Sequence, residues 1–200
     1  RPEAASSAWV LNVEQPGSRW FDLTVAYARR ARGALDISAA GADALRRAGV
    51  PATHVPLPFL PAEGPPPPLR DRRIDVLFLG SASPRRERLL ARCAAALQDR
   101  HVELLLVPAE RPRGPATPGY ADGPTRDEKL RAARLVVDVH AGSRRYLAPH
   151  RALLALRHGC LLVAEEPDRP EPLRPGEHFV SAAADDLPEV CRDLLDRLDD

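Results

Sequence analysis

Three loops of this 200-residue sequence carry side chains that can bind an anion or a sugar hydroxyl. The first begins with a predicted turn at Gly80, continues through Ser81 and runs to Arg85 and Arg86. It lies between a predicted buried strand and a helix that we expect Ser83 to cap, with Pro84 at its first position. The N–H groups and the dipole of a helix N-terminus attract phosphate, and either arginine can add a charge-assisted contact. The loop has neither the GxGxxG fingerprint nor the Walker A pattern, so an ordinary strand-to-helix turn is the alternative.

The second and third loops add a histidine, an arginine and a carboxylate. His140 and Gly142 follow a predicted strand, and His140 either contacts a sugar or phosphate or is satisfied by backbone groups at the strand end. Arg151 lies near the start of the next helix, where it either contacts an anion or is solvated. Glu165 follows a third strand and can accept hydrogen bonds from ribose or sugar hydroxyls, or be solvated. We expect a structural role for Asp138.

These loops are separated by alternating strand and helix patterns. Apolar runs at 74–79, 135–140 and 160–164 are interleaved with helical periodicity. Parallel strands joined by helices bring all three loops to one sheet edge, because ligands bind beyond the carboxyl ends of such strands. Residues 74–200 are therefore predicted to form an α/β domain with a Rossmann-like parallel sheet of about five strands.

The first third of the chain predicts part of a second domain. Residues 1–57 contain three strand patterns and two helix patterns, which is typical of the trailing part of another Rossmann-like domain. Seven of the thirteen residues from Pro56 to Pro68 are proline, a density that favours extended polyproline geometry. We predict an interdomain linker over 58–73. The sequence lacks methionine, and we expect it to begin inside a longer protein.

Composition excludes several functional classes. The 29 basic and 28 acidic residues are interspersed and give a net charge of +1, which disfavours a nucleic-acid partner. No apolar run reaches the length of a membrane span, so no transmembrane segment is expected. Cys93, Cys160 and Cys191 lie far apart in apolar contexts, which favours buried thiols and a reducing cytoplasm. Spacings typical of metal ligands or a hydrolase nucleophile are missing, so neither a metal nor a cofactor is predicted.

The order of these motifs resembles a known family. The matching segments are 76–81 with a following arginine, Lys129 with the strand that ends at His140, the helix, glycine and strand of 151–163, and Gly176 to Val180. They resemble the C-terminal half of GT-B glycosyltransferases, in particular bacterial glycosyltransferase family 1-like proteins of the spore-maturation type. Segments before the linker resemble the end of that family's N-terminal domain: 12–15, Tyr27, 36–38 and 55–57.

This resemblance implies a function. It implies two Rossmann-like domains and metal-independent transfer of a sugar, of the hexosyltransferase type, from a nucleotide-sugar donor to an acceptor in the interdomain cleft. The acceptor, whether a glycan, a protein or a small molecule, is not identified. The C-terminal domain would hold most of the donor. The expected donor-binding residues are Gly80, Ser81, Arg86, His140, Gly142, Arg151 and Glu165.

One departure from the family pattern supports an alternative. Many GT-B enzymes carry two glutamates eight positions apart, and the aligned positions here are Tyr146 and Leu154. Their loss favours a noncatalytic GT-B-like binding or assembly module, and no catalytic residue is assigned. A receiver-type signalling domain is a third possibility, but Asp138 lacks the acidic companions that such a domain needs.

Overall fold

The computed structural model describes residues 7–108, 117 and 119–199. The chain is α/β, with two parallel sheets flanked by helices, which confirms the predicted fold class. Contacts divide it into unit 1, comprising Arg1–Pro58 and Asp168–Arg174, and unit 2, comprising Phe59–Pro167 and Pro175–Asp200. The sequence pattern places 168–174 within the C-terminal domain, whereas in the structure Arg169 pairs with Asp43 of unit 1 at 2.6 Å.

Unit 1 contains a three-stranded parallel sheet and two helices. Serines start both helices, because the Ser18 hydroxyl accepts from the Phe21 N–H and the Ser38 hydroxyl from the Gly41 N–H. Its elements are β1 (Trp9–Asn12), α1 (Arg19–Ala28), β2 (Gly33–Asp36), α2 (Ala39–Arg47) and β3 (Ala52–His54).

Only some of the apolar side chains of unit 1 are buried. Phe21, Leu45 and Val50 form the centre of a small core. Trp9 and Leu11 alternate along β1 and are 49% and 61% exposed. The sheet face that bears them is therefore accessible to solvent, which is unusual because parallel sheets are normally covered on both faces.

Unit 2 contains five parallel strands in the order β5-β4-β6-β7-β8. Its core clusters around buried side chains such as Phe78, Leu90, Val137 and Leu187, and all three cysteines are buried thiols. Its elements are β4 (Ile74–Ser81), α3 (Pro84–Ala96), β5 (Val102–Val107), α4 (Gly123–Ala132), β6 (Ala133–Asp138), α5 (Pro149–Arg157), β7 (Leu161–Glu165), β8 (Val180–Ala182) and α6 (Leu187–Asp199), with a 3₁₀ turn at Leu69–Asp71.

This strand order places a topological switch point between β4 and β6. The chain starts the sheet at β4, adds β5 on one side, and then crosses to add β6 on the other. Successive connections therefore leave the carboxyl ends of β4 and β6 in opposite directions. Ligands of doubly wound sheets bind at such a switch point.

The first strand of unit 2 is longer than its pattern predicts. A turn is expected at Gly80, but Gly80 pairs with Leu106 and Ser81 with Val107. Both residues therefore belong to β4, and the connection to α3 is reduced to Ala82 and Ser83. The start of α3 is as the sequence predicts, because the Ser83 hydroxyl accepts from an N–H of the first turn and Pro84 follows it.

The proline-rich segment from Phe59 onwards is part of unit 2 and is bound by arginines of that unit. The Arg131 guanidinium donates to the carbonyls of Glu63 and Pro65 at 3.3 and 3.2 Å. Arg72 donates to the Pro67 carbonyl at 3.0 Å. Proline lacks an N–H but keeps its carbonyl, so a polyproline segment is a natural acceptor for arginine.

Candidate functional site

The candidate site lies at the switch point of unit 2. Three strand ends meet there, those of β4, β6 and β7, together with the N-terminus of α3. The Ser83 hydroxyl, which caps α3, donates to the Ala141 carbonyl at 2.8 Å. This bond joins the loop after β4 to the loop after β6. The three loops predicted from the sequence thus meet at one edge of the sheet.

Arg86 links the carboxyl ends of β4 and β6 at this edge. It is only 4% exposed, and its Nε donates to the Val139 carbonyl at 2.9 Å. Its Nη1 donates to the carbonyl and the hydroxyl of Ser81 at 3.0 and 2.8 Å. Burial, with Arg151 nearby, lowers the Arg86 pKa to about 10, which leaves it charged at neutral pH. Arg86 is predicted as a phosphate ligand, but these contacts make it a residue that positions the strand ends.

A second arginine forms a buried cluster with a carboxylate and a histidine. Arg85 Nη1 donates to Glu165 Oε2 at 2.7 Å, and Nη2 pairs with Oε1. The His140 backbone N–H donates to Oε2 at 2.9 Å, and its Nδ1 lies 3.3 Å from Oε1. Arg85 also donates to the His140 carbonyl at 3.1 Å. We call these three residues the Arg85–Glu165–His140 cluster.

Glu165 is ionised within this cluster. Burial alone would raise its pKa, but the hydrogen bonds from His140 and Arg85 outweigh burial and lower it to about 2. Glu165 is expected as an acceptor for ligand hydroxyls in a loop. The structure instead makes it the last residue of β7, with both oxygens engaged by protein donors. Its carboxylate therefore orients Arg85 and His140.

A second ion pair lies beside the cluster. Arg151 Nη1 donates to Oδ1 of the buried Asp138, whose other oxygen accepts from the Ala148 N–H at 3.3 Å. The Phe78 ring lies between two cations, 5.5 Å from the Arg151 guanidinium and 5.6 Å from that of Arg86. Asp138 thus has the structural role expected of it. Arg151 lies at the predicted edge, and its charge is balanced by that carboxylate.

The other predicted residues differ in accessibility. Gly142 is exposed, and a Cβ at this position would meet nothing within 4 Å. Tyr146 and Leu154 are half-buried. Arg144 is exposed in the loop after β6 and has no side-chain partner within the described ranges. The sequence gives no reason to select Arg144 among 29 basic residues.

The charges at the switch point do not cancel. Arg85, Arg86 and Arg151 contribute three positive charges, and Asp138 and Glu165 contribute two negative ones, which leaves an excess of one. The dipole of α3 adds positive potential because its N-terminus lies at the same edge. The arrangement therefore favours an anion, while the His140 ring offers a further polar group.

Two further features that would bear on function are a metal-binding cluster and a membrane-spanning helix. The described residues hold no group of three or more His, Cys, Asp or Glu side chains arranged to bind a metal ion. Within the same residues, no helix is both long enough and apolar enough to cross a bilayer. Compared with models of protein families and with curated proteins, the sequence matches none. A functional assignment therefore depends on the geometry of the site.

Proposed function

We propose that unit 2 binds the diphosphate of a nucleotide-sugar donor at the switch point, and that the chain is the donor-binding portion of a metal-independent glycosyltransferase. The observation that carries this proposal is the excess positive charge at the crevice between β4 and β6, next to the N-terminus of α3. Doubly wound sheets bind nucleotides at this place, and helix N-termini bind their phosphates.

The proposal gives different roles to the cations. Arg86 and its acceptors form the wall of the site, because the guanidinium is buried and occupied. The side chain of Arg85 is 31% exposed, so it can turn from Glu165 towards an incoming phosphate. Among the described residues Arg144 has no carboxylate partner, which makes it the best candidate for a new charge-assisted contact. Gly142 leaves open space beside the backbone for the ligand.

A noncatalytic donor-binding or assembly module is the second candidate. Tyr146 and Leu154 occupy the positions of the family's paired glutamates, and neither can supply a carboxylate. Such a module would bind nucleotide sugars at the same crevice without consuming them. Incubation of the chain with donor and candidate acceptors distinguishes the two functions. A glycosyltransferase releases nucleoside diphosphate from the donor, whereas a noncatalytic module does not.

The binding site can be tested by calorimetry with the full chain. The ligands are UDP, GDP and ADP, with UDP-glucose, GDP-mannose and ADP-glucose. We expect at least one pair to bind, and Arg144→Ala to weaken that binding by about 1.5 to 3 kcal/mol, because a charge-assisted hydrogen bond to phosphate is lost.

Arg197→Ala is the matched control. It removes the same charge from an exposed position on α6. The affinity of Arg197→Ala for the nucleotides should equal that of the parent chain. Absence of heat with all six ligands contradicts the proposal, and equal losses in the two variants show that only long-range charge matters.

A further inference from the structure

The Arg85–Glu165–His140 cluster contains a polar atom that the fold leaves unused. The His140 ring is 3% exposed, and its Nε2 is buried without a hydrogen-bond partner in the part of the chain that the structure describes. Buried polar atoms of folded proteins are nearly always hydrogen-bonded, so an isolated one at a candidate binding site points to a ligand. We propose that Nε2 of His140 accepts a hydrogen bond from a hydroxyl group of the bound donor.

The direction of this hydrogen bond follows from Glu165. The carboxylate of Glu165 is ionised and can only accept, so the ring nitrogen that faces it, Nδ1, must carry the hydrogen. In a neutral imidazole the other nitrogen, Nε2, then has a free lone pair.

The lone pair selects the chemical class of its partner. A hydroxyl can donate to Nε2, whereas the diphosphate of a nucleotide sugar, esterified at both ends, is fully ionised at neutral pH and its oxygens only accept. The inference deepens the proposed function and rests on it: His140 recognises the sugar or the ribose, while the cations recognise the diphosphate. Because Nε2 is buried, a hydroxyl reaches it only when the loop that follows, in which Gly142 is exposed, moves aside on binding.

Nitrogen NMR tests the tautomer directly. Long-range ¹H–¹⁵N spectra separate protonated from unprotonated ring nitrogens, and the chain has only six histidines. The His140 signals are those missing from His140→Asn. In the free protein we expect Nδ1 to be protonated and Nε2 unprotonated, with the preference lost in Glu165→Gln. Protonation of Nε2 in the parent chain would overturn the inference.

Ligand additions then test the hydroxyl. Whichever of the six nucleotides binds is added at saturation, and inorganic diphosphate is added separately. We expect the nucleotide to shift the Nε2 resonance and inorganic diphosphate to leave it in place. Nucleotide binding that does not move Nε2 overturns this inference alone. Absence of any nucleotide binding in calorimetry overturns the proposed function as well.

Affinity provides an independent measurement. Asparagine at position 140 retains an N–H donor for Glu165 but has no counterpart of Nε2. We expect His140→Asn to weaken binding of the nucleotide at least tenfold and to leave binding of inorganic diphosphate unchanged. His101→Asn is the matched control, since His101 is exposed at the opposite edge of the sheet. Equal affinities of His140→Asn and the parent chain for the nucleotide contradict the inference.

Discussion

Glu165 is the residue whose replacement tests the structure of the site most directly. Its two oxygens accept from both Nη atoms of Arg85 and from the His140 backbone N–H. Glu165→Gln keeps the size of the side chain but replaces one oxygen by an NH₂ group. That group faces donors, so at least one buried hydrogen bond is lost and Arg85 loses its counter-ion.

The expected cost follows from burial. Removing one partner of a fully buried ion pair costs about 3 to 5 kcal/mol. The Arg85 side chain is 31% exposed and can regain part of its hydration, so we expect a loss of about 2 to 4 kcal/mol in the free energy of unfolding of unit 2.

The pH dependence gives a second measure of the same interaction. The Glu165 pKa is about 2 in the folded chain against an ordinary value of 4.5. A lowered pKa stabilises the folded state fully above the unfolded value, and this stabilisation is lost as the pH falls from 4.5 towards 2. The difference corresponds to at most about 3 kcal/mol. Glu165→Gln should lack this part of the acid sensitivity.

Two spectroscopic signals make the assay specific. Both tryptophans, Trp9 and Trp20, lie in unit 1, so their fluorescence in urea reports that unit. The circular dichroism signal includes the contribution of the helices of unit 2. We expect Glu165→Gln to lower the dichroism midpoint and to leave the fluorescence midpoint unchanged. A loss below about 0.5 kcal/mol, or identical acid titrations of the two proteins, would refute the role assigned to this carboxylate.

Three further predictions concern the wall of the site, unit 1 and metal dependence. Arg86→Lys should lower the stability of unit 2 by about 2 to 4 kcal/mol in urea unfolding, because a lysine cannot donate to the carbonyls of Val139 and Ser81 at the same time. Unchanged stability of Arg86→Lys would contradict the role of Arg86 in positioning the strand ends. Gly41→Ala should destabilise unit 1 by about 1 to 3 kcal/mol, measured by tryptophan fluorescence, since an added Cβ collides with the buried Asp36 carboxylate; an unchanged midpoint would show that α2 can shift freely. Nucleotide binding should persist in EDTA, because the described residues offer no metal-binding cluster, and calorimetric binding that requires added magnesium would oppose this.

The predictions from sequence were most accurate where the signals are local. A serine followed by proline marks the start of α3, and the structure places the cap at Ser83. The same local logic failed at Gly80, where glycine indicates a turn. Strand β5 pairs with Gly80 and Ser81 and extends β4 through them. That pairing depends on the residues of β5, and the sequence around Gly80 contains no pattern that predicts it.

The location of the candidate site was predictable, but the state of its side chains was not. Alternating strands and helices require a parallel sheet, so loops after successive strands must meet at one edge. Whether an arginine at this edge already donates hydrogen bonds within the protein depends on acceptors that lie far away in the sequence. Arg86 meets Val139 and Arg85 meets Glu165, whereas Arg144 meets no partner within the described ranges. Nothing in the neighbourhood of any of these arginines distinguishes them.

Periodicity and helix caps act over a few residues, so the α/β class, the parallel sheet and the edge at which polar loops converge can be predicted from the sequence alone. Only the folded chain shows that Glu165 orients His140, that Nε2 has no partner among the described residues, and that arginines bind the proline-rich segment within unit 2. These outcomes depend on distances between groups separated by many residues. Electrostatic and hydrogen-bond energies depend steeply on such distances, so they are settled only when the chain is folded.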